Sequence, residues 1–250
     1  KALVQSVPGL ETKMVDDLIV GNAVQEAEQG MQMGRMIALT ALGIDNAGMV
    51  INRYCGSGVE AIHLASAKIQ AGMADCIIAG GAESMSFIPM GGYKPTPDYK
   101  VAAAGHEDYY WGMGLTAEAV AKQYNVSRED QDEFAYNSHI KALKAQAEGK
   151  FDKQIVPITV DQTFINENGK KETKSYIVKQ DEGPRAGTSI AALSGLKPVF
   201  AADGSVTAGS SSQMSDGAAF VLIMSEDMVK ELNLEPIARL VNFASSGVEP

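Results

Sequence analysis

Residues 52–58 read Asn-Arg-Tyr-Cys-Gly-Ser-Gly, a cysteine set among small and polar neighbours. Three apolar residues, 49–51, lead into this stretch, and residues 59–69 carry apolar side chains at the spacing of a helix. The pattern predicts a strand, a tight turn and a helix in succession. Cys55 then lies at the turn, immediately before the helix begins.

The position of Cys55 favours a chemically active thiol. A helix N-terminus presents unpaired amide N–H groups and the positive end of the helix dipole, and both stabilise a thiolate relative to a thiol. Gly56 and Gly58 leave space around the sulfur, and the Cys55 amide can donate to an oxyanion formed at an attacked carbonyl. This arrangement suits acyl transfer. The alternative is a small apolar residue packed into a glycine-rich turn.

The composition predicts a soluble globular protein with more than one compact unit, because 45% of the 250 residues are hydrophobic and 21% are charged. A formal net charge of −10 argues against a nucleic-acid partner. Two cysteines and three histidines, without ligand spacing, predict neither a disulfide framework nor a metal site.

No apolar run reaches the roughly twenty residues of a membrane crossing, and the first residues lack the form of a secretory signal. We therefore expect no membrane insertion and a cytoplasmic protein, with an organelle matrix as the alternative. The chain opens without Met and reads like the end of a helix, so we expect sequence before it.

Two further apolar segments flank the Cys55 element. Residues 16–24 read as a buried strand, and residues 75–81 form a short continuous apolar run typical of a strand covered on both faces. Strand, helix and strand together predict a parallel crossover. Cys76 lies in the second run and is assigned to packing, the alternative being a redox-sensitive thiol. His63 lies about 12 Å along the helix from Cys55, too far to act as its base.

The later elements follow from capping and turn signals. Ser127 and Asp130 predict the start of a helix over residues 128–148, and the Asn-Gly pair at 168–169 predicts a hairpin. Residues 207–215 form a loop of small polar residues. We expect strands at 216–224 and 237–243, the latter with no partner.

Five stretches, spaced along nearly the whole chain, resemble the thiolase family. They are residues 52–58, 80–86 (Gly-Gly-Ala-Glu-Ser-Met-Ser), 112–118 (Gly-Met-Gly-Leu-Thr-Ala-Glu), 127–132 (Ser-Arg-Glu-Asp-Gln-Asp) and 207–212 (Thr-Ala-Gly-Ser-Ser-Ser).

The resemblance implies an α/β thiolase-like fold with two similar halves, each a mixed five-stranded sheet layered with helices. Residues 1–84 and 215–234 are then the core of the first half. Residues 85–214 are the inserted, coenzyme A (CoA) binding loop domain, and residues 235–250 are only the start of the second half, which is largely absent.

The resemblance also implies a chemistry. The motif cysteine of the family takes the acyl group, a role that passes to Cys55. The expected reaction cleaves a 3-ketoacyl-CoA with CoA, giving acetyl-CoA and a shortened acyl-CoA by a ping-pong course. CoA and acyl-CoA are substrates, no cofactor is permanently bound, and a homodimer is expected.

For the CoA contacts, Met113 resembles the family's methionine beside the pantetheine arm, and Arg185, Ala208 and Ser212 resemble residues contacting nucleotide and pantetheine. The alternatives are a core position for Met113, a surface charge for Arg185 and a turn former for Ser212. Gly112 stands where the family often has His.

Three family motifs do not occur in the chain: Asn-Glu-Ala-Phe, Gly-His-Pro and a second cysteine in a glycine-rich run. We therefore expect part of a longer polypeptide, inactive alone. Residues 25–30 and 52–58 resemble the degradative branch of the family, which acts in fatty-acid β-oxidation, more than the branch that forms acetoacetyl-CoA. The alternatives are an acetoacetyl-CoA thiolase, a non-catalytic CoA- or lipid-binding relative, and a ketoacyl synthase.

Overall fold

The computed structural model describes residues 1–249, which divide into two compact units. Unit 1 comprises Lys1–Pro97 and Met214–Glu249, and unit 2 comprises residues 98–213. Within the described residues, no helix combines the length and the apolar composition that a membrane crossing needs.

The chain forms eight α-helices and six strands within residues 1–249. The helices are α1 (Ala2–Gln5), α2 (Met33–Ala41), α3 (Ser57–Gln70), α4 (Tyr99–Ala103), α5 (Met113–Tyr124), α6 (Arg128–Ala147), α7 (Ile190–Ser194) and α8 (Glu226–Glu231). The strands are β1 (Asp17–Gly21), β2 (Met49–Ile51), β3 (Cys76–Ser84), β4 (Ile158–Ile165), β5 (Lys171–Val178) and β6 (Asp216–Met224). Short 3-10 turns occupy Thr12–Met14, Ala27–Gln29 and Glu107–Tyr110.

Unit 1 is built on a mixed sheet with the strand order β2-β1-β3-β6. β1 runs parallel to β2 and β3, whereas β6 pairs antiparallel with β3. The predicted α/β architecture, mixed sheet and parallel crossover are therefore confirmed.

The sheet has four strands rather than the predicted five. The separate strand expected at residues 237–243, as the start of the second half, does not form either, and Ile237 and Val241 are almost wholly exposed. A strand needs a neighbour with which to exchange backbone hydrogen bonds. Within residues 1–249 this segment pairs with none.

Alternation along the central strands explains their continuous apolar runs. Leu18 and Val20 of β1 belong to a core cluster on one face of the sheet, together with Ala38 of α2. Ile19 belongs to a second cluster on the other face, where Ala61 and Ala65 of α3 pack. Because successive side chains point to opposite faces and both faces are covered, every residue of β1 is buried.

Glycines allow two close backbone approaches in this unit. A Cβ on Gly21, at the end of β1, would lie 2.5 Å from the carbonyl carbon of Ser57 in α3. A Cβ on Gly80, in β3, would overlap the carbonyl oxygen of Ala219 in β6. Both contacts are with backbone, which cannot move aside as a side chain can.

Unit 1 extends to Pro97, beyond the boundary predicted after residue 84, because residues 85–97 form hydrogen bonds with it and pack against it. Ser86 donates to the Asp216 carboxylate from its amide (2.8 Å) and its hydroxyl (2.5 Å), and these bonds lower the pKa of Asp216. The Tyr93 amide donates to Glu26 at 2.6 Å, and Ile88 is buried.

Unit 2 contains helices α4 to α7 and the hairpin of β4 and β5. The predicted capping box of α6 is present, with the Ser127 hydroxyl accepting from the Asp130 amide at 3.0 Å. The predicted hairpin is also present, and the Asn166 side chain accepts from two amides of its turn.

We expect Gly80→Ala to lower the free energy of unfolding by about 1–3 kcal/mol, because the new methyl group forces β3 and β6 apart. Gly217→Ala in β6 is the matched control, since a Cβ there has no atom within 4 Å. Urea unfolding followed by circular dichroism measures the difference. Equal midpoints for the two variants would contradict the close approach.

Candidate active site

Cys55 lies exposed in the turn between β2 and α3. Gly56 occupies the N-cap position of α3, so the sulfur-bearing residue directly precedes the start of a 14-residue helix. β1 and β3 are parallel to each other, and Gly21 at the carboxyl end of β1 pairs with Gly81 within β3, beside the start of α3. The sequence prediction of a strand, a turn with cysteine and a helix is confirmed.

The backbone immediately before Cys55 is strained and is held by side chains. Tyr54 has a φ of 44°, in the left-handed region that bulky residues rarely adopt. Asn52 Oδ1 accepts from the Tyr54 amide at 2.8 Å. The buried Ser57 hydroxyl donates to the Tyr54 carbonyl at 2.6 Å and accepts from the Arg53 amide at 2.7 Å. These bonds fix the direction in which Cys55 leaves the turn.

The amide N–H of Cys55, next to the sulfur, takes no part in the hydrogen bonds of the turn. These bonds use the amides of Arg53, Tyr54, Gly56 and Ser57 instead. The positive end of the α3 dipole lies at the same place. The arrangement can therefore receive a carbonyl whose oxygen becomes negative on attack.

The charged groups near the turn pair with one another. Arg53 Nε lies 2.8 Å from Glu60 Oε2, and His63 Nδ1 lies 3.5 Å from Glu60 Oε1. The His63 ring also stacks on Phe243, with 3.7 Å between the ring centroids. As expected from its distance along α3, His63 has partners of its own rather than Cys55.

Cys76 differs from Cys55 in its exposure to solvent. It is fully buried in β3 within the apolar core. Burial, with smaller contributions from the charges of Asp16 and Asp75, raises its pKa to about 12. The thiol therefore stays protonated, and its assignment to packing is confirmed.

A hydrogen-bonded path links the cysteine turn to the end of β3. Asn52 Nδ2 donates to the Ala23 carbonyl at 2.8 Å, and the Ala23 amide donates to Glu83 Oε2 at 2.7 Å. The role of Glu83 is not apparent from the sequence. Its connection depends on β3 lying beside β1, and the sequence of residues 80–86 by itself carries no signal of that pairing.

In unit 2, Met113 begins α5 and is largely exposed, so it is not a core residue. It lines a mostly apolar cavity of about 380 Å³ between α5, α6 and the loop that precedes residue 211. The lining residues are Met113, Thr116, Ala117, Val120, Ala121, Val126, Gln131, Val206 and Ser210. Gly112 is the N-cap of α5.

The other predicted contact residues lie on exposed segments of unit 2. Ala208 and Ser212 are exposed on the small-residue loop. Arg185 is also exposed, and its amide donates to His139 Nδ1 at 3.2 Å, a partner 46 residues earlier that no local sequence pattern indicates. Gln213 Nε2 donates to the Gly183 carbonyl at 2.6 Å, which brings the segment before Arg185 beside the end of the loop.

Buried polar groups order the first part of that loop. Thr207 is fully buried, and its carbonyl accepts from the Ser211 hydroxyl at 2.7 Å. The Glu118 carboxylate accepts from the amides of Ser205 and Val206, both at 2.9 Å. The loop is therefore held in place although its exposed residues are small. Within residues 1–249 no group of three His, Cys, Asp or Glu side chains is arranged to hold a metal ion.

Comparisons with known proteins agree on one family. Residues 1–227 match the family model described as "Thiolase, N-terminal domain". A 3-ketoacyl-CoA thiolase of Bacillus subtilis (strain 168) is 50% identical over 237 residues, which are 94% of this chain and 60% of that protein. A probable acetyl-CoA acyltransferase of Staphylococcus aureus (strain COL) is 41% identical over 97% of this chain and 62% of its own length.

The structural comparison points the same way. The crystal structure of the Bacillus anthracis acetyl-CoA acetyltransferase superimposes with a TM-score of 0.75 at 36% sequence identity. The match covers 94% of this chain and 60% of that one. This chain thus spans about three fifths of the length of the relatives it matches.

We expect a thiol reagent such as Ellman's reagent to label one cysteine in the folded protein and both in denaturant. Cys55 is exposed, whereas Cys76 is buried with a pKa of about 12. Peptide mass spectrometry assigns the site, and Cys55→Ser should abolish labelling of the folded protein. Labelling of Cys76 at a similar rate would contradict the placement of the two thiols.

Proposed function

We propose that this chain, which belongs to the thiolase family, carries the nucleophile of an acyltransferase that cleaves 3-ketoacyl-CoA with CoA. Cys55 accepts the shortened acyl group as a thioester. The observation that carries the proposal is the exposed sulfur at a strained turn before α3, in a chain whose relatives are named thiolases and acyltransferases.

The proposed reaction has two steps. The Cys55 thiolate attacks C3 of the 3-ketoacyl-CoA, so that a bond forms between sulfur and C3 and the carbonyl oxygen becomes negative. Collapse of this intermediate breaks the bond between C2 and C3. The electron pair goes to C2, which takes up a proton as acetyl-CoA leaves. The thiol of a second CoA, as it loses its proton, then attacks the thioester, and Cys55 departs as thiolate.

The turn supports this chemistry in two ways. The hydrogen bonds of the turn do not use the Cys55 amide N–H. This N–H can therefore donate to the oxyanion that develops in each step. The N-terminus of α3 favours negative charge on that oxygen. Exposure of Cys55 gives the substrate access.

For unit 2 we infer a role in holding CoA. The apolar cavity beside Met113 is suited to an aliphatic pantetheine arm, and the ordered loop with Ala208 and Ser212 presents little side-chain bulk to a ligand. Arg185 adds an exposed positive charge suited to a phosphate. The homodimer expected from the resemblance stays a prediction.

A second candidate function is favoured by the Bacillus anthracis structure, which is named an acetyl-CoA acetyltransferase. An enzyme of that branch acts on a four-carbon substrate, acetoacetyl-CoA. Comparing kcat/KM for C4 and C12 3-ketoacyl-CoA decides between the branches, since a sharp preference for C4 would overturn the degradative assignment.

We expect Cys55 to become labelled when the full-length protein is incubated with radiolabelled acetyl-CoA, because the thioester is the proposed intermediate. Cys55→Ser should lose the label and lower turnover by about a thousandfold or more, since the nucleophile is removed. Cys76→Ser is the matched control and should keep both.

The same experiment addresses a non-catalytic relative that only binds CoA or lipid. Such a protein would bind acetyl-CoA and acquire no covalent label at Cys55. That result would remove the proposed function.

A further inference from the structure

Glu83 lies near the end of β3, where its carboxylate faces three N–H donors. Oε1 accepts from Asn22 Nδ2 at 3.0 Å and from Gln29 Nε2 at 2.7 Å, and Oε2 accepts from the Ala23 amide at 2.7 Å. Asn22 and Gln29 are buried. A side chain that faces only donors must offer only acceptors, and Glu meets this requirement whereas Gln does not.

The loop that Glu83 holds is hydrogen-bonded to the cysteine turn through the Asn52 side chain. The Ala23 carbonyl accepts from Asn52 Nδ2 at 2.8 Å. The oxygen of the same side chain, Asn52 Oδ1, accepts from the backbone amide of the strained Tyr54 at 2.8 Å. The Asn52 side chain can hold Tyr54 at a φ of 44° only while its own orientation is fixed. That orientation depends on where Ala23 lies.

We propose that Glu83 is a positioning residue for Cys55 and acts through Ala23 and Asn52. This inference rests on the proposed function, in which Cys55 is the nucleophile. Glu83 fixes the loop after β1, the loop fixes the Asn52 amide, and Asn52 keeps Tyr54 in the left-handed conformation that directs Cys55 to the start of α3. Without this support Tyr54 relaxes toward ordinary backbone angles. The Cys55 sulfur then moves relative to the start of α3 and to the Cys55 amide N–H.

Two variants interrupt the path at different points. Glu83→Gln sets an NH₂ group against at least one of the three donors. Asn52→Asp keeps the acceptor for the Tyr54 amide but replaces the donor to the Ala23 carbonyl with an oxygen. Glu231→Gln makes the same chemical change as Glu83→Gln at an exposed position at the end of α8, and it is the matched control.

Two measurements on the full-length protein follow Cys55 directly. One is the rate of acetyl transfer from acetyl-CoA to Cys55, and the other is the rate of its alkylation by iodoacetamide at a fixed pH. We expect each single variant to slow acetyl transfer about tenfold and to slow alkylation, because the sulfur loses its placement beside the start of α3. Glu231→Gln should behave like the unmodified protein.

The double variant tests whether the two residues act along one path. Combining Glu83→Gln with Asn52→Asp should be no slower than the slower single variant, since the second change interrupts a path that is already broken. Multiplied effects would overturn the proposal. So would a Glu83→Gln protein that melts at a lower temperature but reacts at the unmodified rate, which would indicate a purely structural role.

The exposed position of Asn52 keeps the test decisive if Glu83→Gln does not fold. An unmodified alkylation rate for Asn52→Asp alone would then overturn the proposal. Failure of the proposed function has a different signature: the unmodified protein would take no acetyl group at Cys55. In that case the alkylation rates still report whether Glu83 and Asn52 position the thiol.

Discussion

The approach of α3 to the end of β1 is the constraint on which the rest of unit 1 depends. A Cβ at residue 21 would lie 2.5 Å from the Ser57 carbonyl carbon, so the strand has to end in Gly21. Gly81 of β3 is close to the same point, because a Cβ there would lie 3.1 Å from the Gly21 carbonyl oxygen. The start of α3 is thereby brought against the carboxyl end of β1. In open α/β sheets the carboxyl ends of the strands are where ligands bind.

The apolar core and the polar edge of the sheet have separate tasks. Side chains of β1 alternate between two clusters, one under α2 and one under α3, and burial on both faces makes the strands a rigid support. At the carboxyl edge, polar side chains replace apolar ones: Asn22, Gln29 and Glu83 hold the loop that meets Asn52. A strained residue such as Tyr54 persists only where its surroundings over-determine it, and here the support comes from both sides of the turn.

Unit 2 relies on buried polar anchors to order its loops. Asp132 is almost fully buried and pairs with Arg128, whose guanidinium also donates to the carbonyls of Leu193 and Leu196 beside α7. Glu118 holds the backbone of residues 205–206 in the same manner. Such anchors let residues 207–212 keep small side chains and still have a defined conformation. The apolar cavity beside Met113 is bounded by this ordered loop.

The sequence by itself determined the elements whose causes are local. Helical spacing after Cys55 and the capping box at Ser127 both predicted what formed, because each depends on neighbours within a few residues. Tertiary structure decided whatever needed partners distant in the chain. Residues 237–243 have the composition of a strand but form none, since pairing requires a neighbour, and Glu83 reaches the cysteine turn only because β3 lies beside β1. The contrast between two cysteines in one chain has the same origin: burial sets the protonation of Cys76, and burial is a property of the packed molecule.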